Sequence, residues 1–206
     1  MINADRRALY CERMRELRDG LPPHYHDPDW QLVEHAGFLH VNVPHIEQGG
    51  FKILEIGPGT GVGMLLMEEL GNEVYGSDLG GDAEGEMRGW MLAYSKITKH
   101  LGLRVVYWGF EHYLSETQLP TQWPKFDLIY LRRSVSGVLC SYGRTRYAEC
   151  TRKLITLWAS MLNHKGQVFI THNSGQPQVE FASAVENYSG PLTVLSNNSI
   201  ECRLIK

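Results

Sequence analysis

The sequence is poor in cysteine, has no long apolar run and carries no strong charge excess. Only four of its 206 residues are Cys, and none form a C-x-x-C pair, so we expect buried thiols rather than a zinc or disulfide framework. No stretch approaches the roughly 20 apolar residues that span a bilayer, and the first residues lead into a charged segment rather than a signal-peptide run. These absences predict a cytoplasmic protein without membrane contact. The balance of 20 basic and 23 acidic residues argues against binding of nucleic acid through its phosphates.

From Phe51 onward, short apolar runs alternate with segments of helical periodicity. Such alternation predicts a parallel sheet with helices on both faces. The predicted strands are 52–56, 73–77, 104–108, 126–131 and 167–171, and the predicted helices are 62–70, 87–99, 147–161 and 179–188. Two final apolar runs, 192–195 and 200–205, are separated by Asn197-Asn198, which suits a hairpin turn. The hairpin makes the predicted sheet mixed.

Residues 1–50 are predicted to form a helical extension to a domain that spans residues 51–206. Asp5 is expected to cap a first helix that ends around Gly20, and a second helix is expected over 30–38. Five of the nine histidines lie in this extension, at positions 24, 26, 35, 40 and 45. Their spacing matches no established ligand pattern, so no metal site is predicted.

Residues 54–63, Leu-Glu-Ile-Gly-Pro-Gly-Thr-Gly-Val-Gly, are the most informative segment. Glycines at a strand end allow a sharp turn and let a ligand approach the backbone, and the helix that follows points its amides at that ligand. The dinucleotide fingerprint G-x-G-x-x-G does not fit, because its third glycine would fall on Val62 or Met64. A P-loop is excluded as well, since no Gly-Lys-Ser/Thr follows.

The pattern acidic-x-Gly-x-Gly-x-Gly over residues 55–61 resembles the first motif of the class I S-adenosylmethionine-dependent methyltransferases. The Phe-Asp-Leu-Ile strand at 126–129, the turn and strand at 162–170 and the closing hairpin extend this resemblance over residues 50–206. The resemblance implies a Rossmann-like, doubly wound, mixed seven-stranded sheet with a terminal antiparallel hairpin. It also implies S-adenosylmethionine as the cofactor.

The resemblance also implies the residues that bind the cofactor. In that family an acidic residue at the end of the second strand binds the ribose hydroxyls, and Asp78 matches it. Many members carry an Asp for the adenine amine where this chain has Phe110, so that either Phe110 contacts the adenine or Glu111 takes the amine. Structural roles remain open for three of these residues. Glu55 is then a solvated acid at the strand end, Asp78 caps the next turn, and Phe110 belongs to the core. The implied set is Glu55, Gly57, Pro58, Gly59, Gly61, Asp78, Leu79, Phe110, Glu111 and Arg132.

The methyl acceptor is less constrained by the sequence. Residues 131–134 read Leu-Arg-Arg-Ser where base-amino methyltransferases usually show Asp/Asn-Pro-Pro-Tyr, and no Pro-Cys dipeptide is present. These absences favour a small-molecule acceptor, while RNA and protein acceptors remain open. Basic residues concentrate at 132–153, where they either bind an acidic group of the acceptor or form a solvated helix start. This basic segment comprises Arg132, Arg133, Arg144, Arg146, Arg152 and Lys153.

No catalytic base is assigned, because methyl transfer mainly requires alignment of the nucleophile, the methyl group and sulfur. The one side chain considered as a base is His172, just past the fifth predicted strand. N-terminal extensions in the resembling family often form a lid over the acceptor pocket, and the residues considered for such contact are Tyr10, Tyr25, Trp30 and His45. Two alternatives are an NAD(P)-dependent oxidoreductase and a non-catalytic module that binds S-adenosylmethionine.

Overall fold

Six α-helices and seven strands are formed by the residues that the computed structural model describes, namely 3–78, 89–107, 123–132, 147–171, 176–197 and 201–206. The helices are α1 (Ala4–Glu16), α2 (Pro28–Asn42), α3 (Val62–Glu69), α4 (Trp90–His100), α5 (Tyr147–Met161) and α6 (Gln176–Glu186). The strands are β1 (Lys52–Ile56), β2 (Glu73–Asp78), β3 (Val105–Tyr107), β4 (Phe126–Arg132), β5 (Leu162–Thr171), β6 (Thr193–Asn197) and β7 (Glu201–Ile205). None of these six helices is both long and apolar enough to cross a membrane.

The seven strands form one mixed sheet in the order β3-β2-β1-β4-β5-β7-β6. The pairs β2–β3, β1–β4 and β4–β5 are parallel, whereas β7 runs antiparallel to both β5 and β6. This order confirms the predicted mixed seven-stranded sheet and its terminal antiparallel strands. Residues 198–200, where the hairpin turn is predicted, lie outside the described residues.

The chain divides into two compact units. The first unit consists of Met1–Phe51 and Pro58–Tyr107, and the second of Lys52–Gly57 and Trp108–Lys206. The first unit contains α1–α4 with β2 and β3, and its core includes Tyr10, Met14, Leu32, Leu39, Met64, Leu65, Met67, Val74 and Ile97. The second unit contains the other five strands with α5 and α6, and its core includes Ile53, Leu54, Phe126, Leu128, Leu154, Trp158, Phe169, Val185 and Leu204.

The first helix is capped differently from the prediction. Asn3, not Asp5, is the N-cap residue, and its side chain accepts a hydrogen bond from the amide of Asp5 at 2.9 Å. Asp5 instead lies in the first turn, where a carboxylate interacts favourably with the positive end of the helix dipole. The helix ends at Glu16, and the chain continues through a 3-10 turn, Arg18–Gly20. The second helix, capped by the side chain of Asp27, is longer than predicted at both ends.

Strand β5 begins five residues before the predicted start. Leu162 already pairs with Phe126, and the register shifts before Gln167 pairs with Leu128. The His-Lys-Gly segment that resembles a helix stop therefore lies within β5, at an irregularity in its pairing with β4, with Lys165 at φ +65°. The C-terminal Lys206 donates its amide to the Gly166 carbonyl at 3.0 Å and accepts from the Lys165 amide at 3.2 Å.

The carboxylate of Asp127 joins the starts of two strands in the second unit. It accepts a hydrogen bond from the amide of Lys52, at the start of β1, at 2.8 Å. Its other oxygen accepts from the side-chain amide of Asn163 in β5 at 2.7 Å. The acidic residue of the Phe-Asp-Leu-Ile strand thus has a structural role.

Three of the four cysteines, Cys11, Cys150 and Cys202, are buried, as the sequence predicts. Cys140 lies outside the described residues.

Candidate functional site

The glycine segment folds as a tight turn that opens helix α3. The amide of Gly61 donates to the carbonyl of Pro58 at 2.9 Å, and Gly61 is the N-cap residue of α3. The three motif glycines, Gly57, Gly59 and Gly61, have φ values of +72°, +57° and +79°. Such angles strain any residue with a Cβ, which explains the alternating glycines.

The backbone at Gly61 is also closely packed. A Cβ on Gly61 would lie 2.5 Å from Cδ1 of Leu103 and 3.0 Å from Cγ2 of Thr98. The third glycine therefore allows α3 to begin against the segment that ends α4. The first turn of α3 carries no acidic side chain and no side-chain cap, so its amide groups form an electropositive end suited to an anionic group.

Tyr10 of α1 supports the turn from the protein interior. Its hydroxyl shares a hydrogen bond of 3.2 Å with Oγ1 of Thr60, and both side chains are fully buried. Burial raises the pKa of Tyr10, so this phenol stays protonated. Tyr10 thus holds the turn in place instead of facing solvent as a residue that contacts substrate would.

Tyr25 and Tyr94 border the turn at Gly59. A Cβ on Gly59 would lie 3.3 Å from the Tyr25 hydroxyl and 4.0 Å from Cε2 of Tyr94. The two rings pack edge to face with centroids 5.5 Å apart. Burial raises the pKa of Tyr94, and the charge and hydrogen bond of Tyr25 and the charge of Asp78 raise it further. Tyr94 therefore lies within electrostatic reach of both Tyr25 and Asp78.

Asp78 is the last residue of β2 and is half-buried. It pairs in parallel register with Tyr107 of β3. The geometry of the first unit thus combines a glycine turn, an electropositive helix start, two phenols and a carboxylate. Such a set can bind a ligand that carries both an anionic group and vicinal hydroxyls.

Glu55, Gly57 and Arg132 belong to the second unit. Glu55 lies in β1, is only 4% exposed, and is in register with Tyr130 of β4. Gly57 follows the end of β1. Arg132 is the half-buried last residue of β4 and is in register with Thr171.

Several of the predicted site residues belong to the parts of the chain that the structure does not describe. Leu79, Phe110 and Glu111 of the predicted cofactor set lie outside the described residues, as do Arg133, Arg144, Arg146 and His172. Of the remaining basic segment, Arg152 and Lys153 are exposed on α5, and Lys153 forms an ion pair with Glu149 at 3.4 Å.

The N-terminal histidines have local partners. Ring nitrogens of His26 and His35 share hydrogen bonds with the carbonyls of Leu21 and Gln31, at 2.9 and 3.0 Å. His40 contacts the Glu47 carboxylate at 2.7 Å. Within the described ranges, no three His, Cys, Asp or Glu side chains converge as a metal site would require.

Sequence reasoning missed Tyr94 and the pairing of Tyr10 with Thr60. Tyr10 and Thr60 are 50 positions apart, and Tyr94 lies on a helix whose pattern indicates only which face is buried. The N-terminal tyrosines were considered for substrate contact, but no local signal predicts that they meet the glycine turn.

Solved structures with a similar fold are methyltransferases. No protein-family model and no curated protein matches the chain. Magnesium protoporphyrin IX methyltransferase (ChlM) from Synechocystis PCC 6803 with bound SAM is 16% identical, with a TM-score of 0.54, over 95% of this chain and 90% of that one. SAM-bound CalS10, an amino pentose methyltransferase from Micromonospora echinaspora, is 12% identical, with a TM-score of 0.53. The match covers 84% of this chain and 91% of CalS10.

A third solved structure with a similar fold is that of an RNA methyltransferase. The T. thermophilus 16S rRNA N2 G1207 methyltransferase (RsmC), in complex with AdoMet and guanosine, is 17% identical, with a TM-score of 0.50, over 85% of this chain and 42% of that one. The fold of this chain is therefore that of the class I S-adenosylmethionine-dependent methyltransferases, as the first motif suggested. Because the neighbours include small-molecule and RNA enzymes, the fold alone does not identify an acceptor.

Proposed function

We propose that this chain is an S-adenosylmethionine-dependent methyltransferase that acts on a small molecule. The observation that carries the proposal is the turn Pro58–Gly61, in which two glycines with positive φ lead into α3, whose first-turn amides have no side-chain cap, within a class I fold. A Cβ on Gly59 would lie 3.3 Å from the Tyr25 hydroxyl, so only glycine lets this side chain and the turn backbone lie so close together. These features support the binding of an adenosyl amino acid.

In the first unit, the first-turn amides of α3 are proposed to bind the anionic group of S-adenosylmethionine, and Asp78 to accept hydrogen bonds from its ribose hydroxyls. For Glu55, Gly57 and Arg132, and for Leu79, Phe110 and Glu111, the proposed role rests on the sequence resemblance. Once bound, the cofactor supplies an electrophilic methyl group on a sulfonium centre. The protein then has to hold that group in line with the acceptor atom and exclude water.

We also propose that residues 1–50 cover the ligand site. Support comes from Tyr10 and Tyr25, which both contact the glycine turn from this segment. A cover of this kind keeps the reacting groups dry, which strengthens electrostatic contacts to them.

The acceptor is proposed to carry an acidic group that binds Arg132. Guanidinium groups recognise carboxylates and phosphates through paired hydrogen bonds. Arg132→Ala is therefore expected to raise the KM for the acceptor by about tenfold or more. The KM for S-adenosylmethionine is measured alongside it, because the family resemblance also places Arg132 in the set that binds the cofactor. The matched control is Arg152→Ala, because Arg152 is exposed on α5. An unchanged KM for the acceptor in Arg132→Ala would remove the acidic-group proposal and leave methyl transfer intact.

Two measurements test the proposed activity. Calorimetric titration with S-adenosylhomocysteine and with NAD distinguishes a methyltransferase from an oxidoreductase, and we expect binding of the first ligand only. Methyl release from labelled S-adenosylmethionine, measured against a metabolite panel, distinguishes an enzyme from a non-catalytic binding module. Binding of S-adenosylhomocysteine without transfer to any metabolite, RNA or protein fraction would favour the binding module.

A further inference from the structure

The electropositive start of α3 predicts which part of the cofactor lies above Gly59. The carboxylate is the only anionic group of S-adenosylmethionine and of S-adenosylhomocysteine. The first turn of α3 has neither an acidic side chain nor a side-chain cap, so a carboxylate is most stable beside the turn that precedes it. The ligand's amino-acid end is thus expected near Gly59 and Gly61.

A phenol hydroxyl borders this position. The Tyr25 oxygen lies 3.3 Å from the place where a Gly59 Cβ would be, and Tyr94 borders the same point at 4.0 Å. Tyr25 is held there by its own segment, because Gln31 of α2 donates to the carbonyl of His24 at 2.8 Å. The ring of Tyr25 also packs against that of His24, with centroids 4.3 Å apart.

Tyr94 orients the Tyr25 hydroxyl. The two rings pack edge to face with centroids 5.5 Å apart. Burial is the main cause of the raised pKa of Tyr94, and a hydrogen bond with Tyr25 contributes to it. A phenol oxygen that accepts one hydrogen bond can donate its own hydrogen to another acceptor. If Tyr94 donates to Tyr25, then Tyr25 can present its own hydrogen to the carboxylate of a ligand, and the variants below test this arrangement.

We propose that Tyr25 and Tyr94 set the specificity of the site for ligands with an amino-acid end: the Tyr25 hydroxyl binds the cofactor carboxylate, and Tyr94 positions that hydroxyl. This inference rests on the proposed function and adds a recognition element that the glycine motif does not contain. A ligand that lacks the carboxylate, such as 5′-methylthioadenosine, gains nothing from the pair.

The test compares the binding of two ligands to the chain of 206 residues. Dissociation constants for S-adenosylhomocysteine and 5′-methylthioadenosine are measured by calorimetry for the wild type, Tyr25→Phe and Tyr94→Phe. Tyr25→Phe retains the ring but loses the hydroxyl, and it should weaken S-adenosylhomocysteine about tenfold while changing 5′-methylthioadenosine less than about twofold. Tyr94→Phe should weaken S-adenosylhomocysteine about threefold, because the Tyr25 hydroxyl then loses only its orienting donor.

Two further variants separate a specific role from a structural one. Tyr75→Phe removes a phenol that donates to Glu73 at 2.6 Å, and both affinities should stay at the wild-type value. The double variant Tyr25→Phe/Tyr94→Phe should bind S-adenosylhomocysteine no more weakly than Tyr25→Phe alone, since Tyr94 acts only through Tyr25.

The possible outcomes are distinct. If the wild type binds S-adenosylhomocysteine and both single variants keep its preference over 5′-methylthioadenosine, the specificity pair is wrong and the proposed function stands. An equal loss of affinity for both ligands in the single variants would also contradict the specificity pair, because the two hydroxyls would then act on the fold and not on the ligand carboxylate. If the wild type does not bind S-adenosylhomocysteine, the proposed function fails, and the inference fails with it.

Discussion

Single residues in the glycine turn have separable roles. Gly61 allows the left-handed N-cap of α3 and its close packing against Leu103. Gly59 lets the Tyr25 hydroxyl lie close to the turn backbone, because a Cβ there would be only 3.3 Å from it. Thr60, which lies between the two glycines, is buried, and its hydroxyl forms a hydrogen bond with the Tyr10 hydroxyl. The turn is therefore held by both backbone conformation and a side-chain hydrogen bond, so its shape does not depend on a ligand.

Substitution of Gly61 tests the conformational part. Gly61→Ala is expected to lower the free energy of unfolding by about 1–2 kcal/mol, because the left-handed conformation is unfavourable for alanine and its Cβ would displace the side chain of Leu103. Urea denaturation measures the change. Gly37→Ala is the matched control: Gly37 lies inside α2 with no atom within 4 Å of the new Cβ, so alanine should stabilise by about 0.5–1 kcal/mol. Equal stability of Gly61→Ala and wild type would contradict the strained turn.

At the scale of elements, Asp127 connects three strands of the second unit. It lies in β4 and accepts hydrogen bonds from β1 and β5. The bonded groups lie where β1 and β5 begin, so the carboxylate fixes how these strands align with β4. The opposite ends of the parallel strands, where ligands bind in such sheets, depend on that alignment.

Removal of this carboxylate should destabilise the sheet. Asp127→Ala loses two hydrogen bonds, of 2.8 and 2.7 Å, and is expected to cost about 2 kcal/mol of unfolding free energy. Chemical denaturation followed by circular dichroism measures it. Glu149→Ala serves as a control, since its ion pair with Lys153 is exposed on α5 and should change stability by less than about 0.5 kcal/mol. Similar stability losses in the two variants would argue against the alignment role.

The buried thiol of β7 predicts a specific loss of stability at alkaline pH. Burial, with the nearby Glu201 carboxylate, raises the pKa of Cys202 from 9.0 to about 12. Below pH 9 the thiol is neutral in both the folded and unfolded states, and its contribution is complete. Between pH 9 and about 12, the unfolded chain loses the proton that the folded chain keeps, so stability falls by about 1.4 kcal/mol per pH unit.

A cysteine variant isolates this contribution. In Cys202→Ala the part of the decline that comes from the thiol should vanish, so the stability of the variant approaches that of the wild type as pH rises from 9 to 12. Tyrosines titrate in both proteins and cancel in the difference. If the difference in unfolding free energy between the wild type and Cys202→Ala stays constant from pH 9 to 12, the pKa of Cys202 is not raised in the folded protein.

For the whole molecule, the alternation of strands and helices predicted a parallel sheet, and the family resemblance implied its seven strands. Apolar runs such as residues 52–56 and 126–131 are local signals, and parallel connection follows from the helices between them. The glycine turn was predictable for the same reason, since its spacing lies within seven residues. The convergence of Tyr10, Tyr25 and Tyr94 was not, because contacts across tens of residues leave no periodic pattern. The early start of β5 at Leu162 was not predicted, because Lys165-Gly166 resembles a helix end.

Ligand binding should stabilise the whole molecule by mass action. At a hundredfold excess over its dissociation constant, S-adenosylhomocysteine adds about 2.7 kcal/mol, and for a chain of 206 residues that raises Tm by about 5–10 °C. NAD at the same concentration should leave Tm unchanged. In Asp78→Ala, a tenfold weaker affinity through lost ribose hydrogen bonds would reduce the shift at that concentration to about half. Tyr75→Phe should keep the full shift. A full shift in Asp78→Ala would remove Asp78 from ribose binding, whereas a shift with NAD alone would replace the methyltransferase proposal with an oxidoreductase.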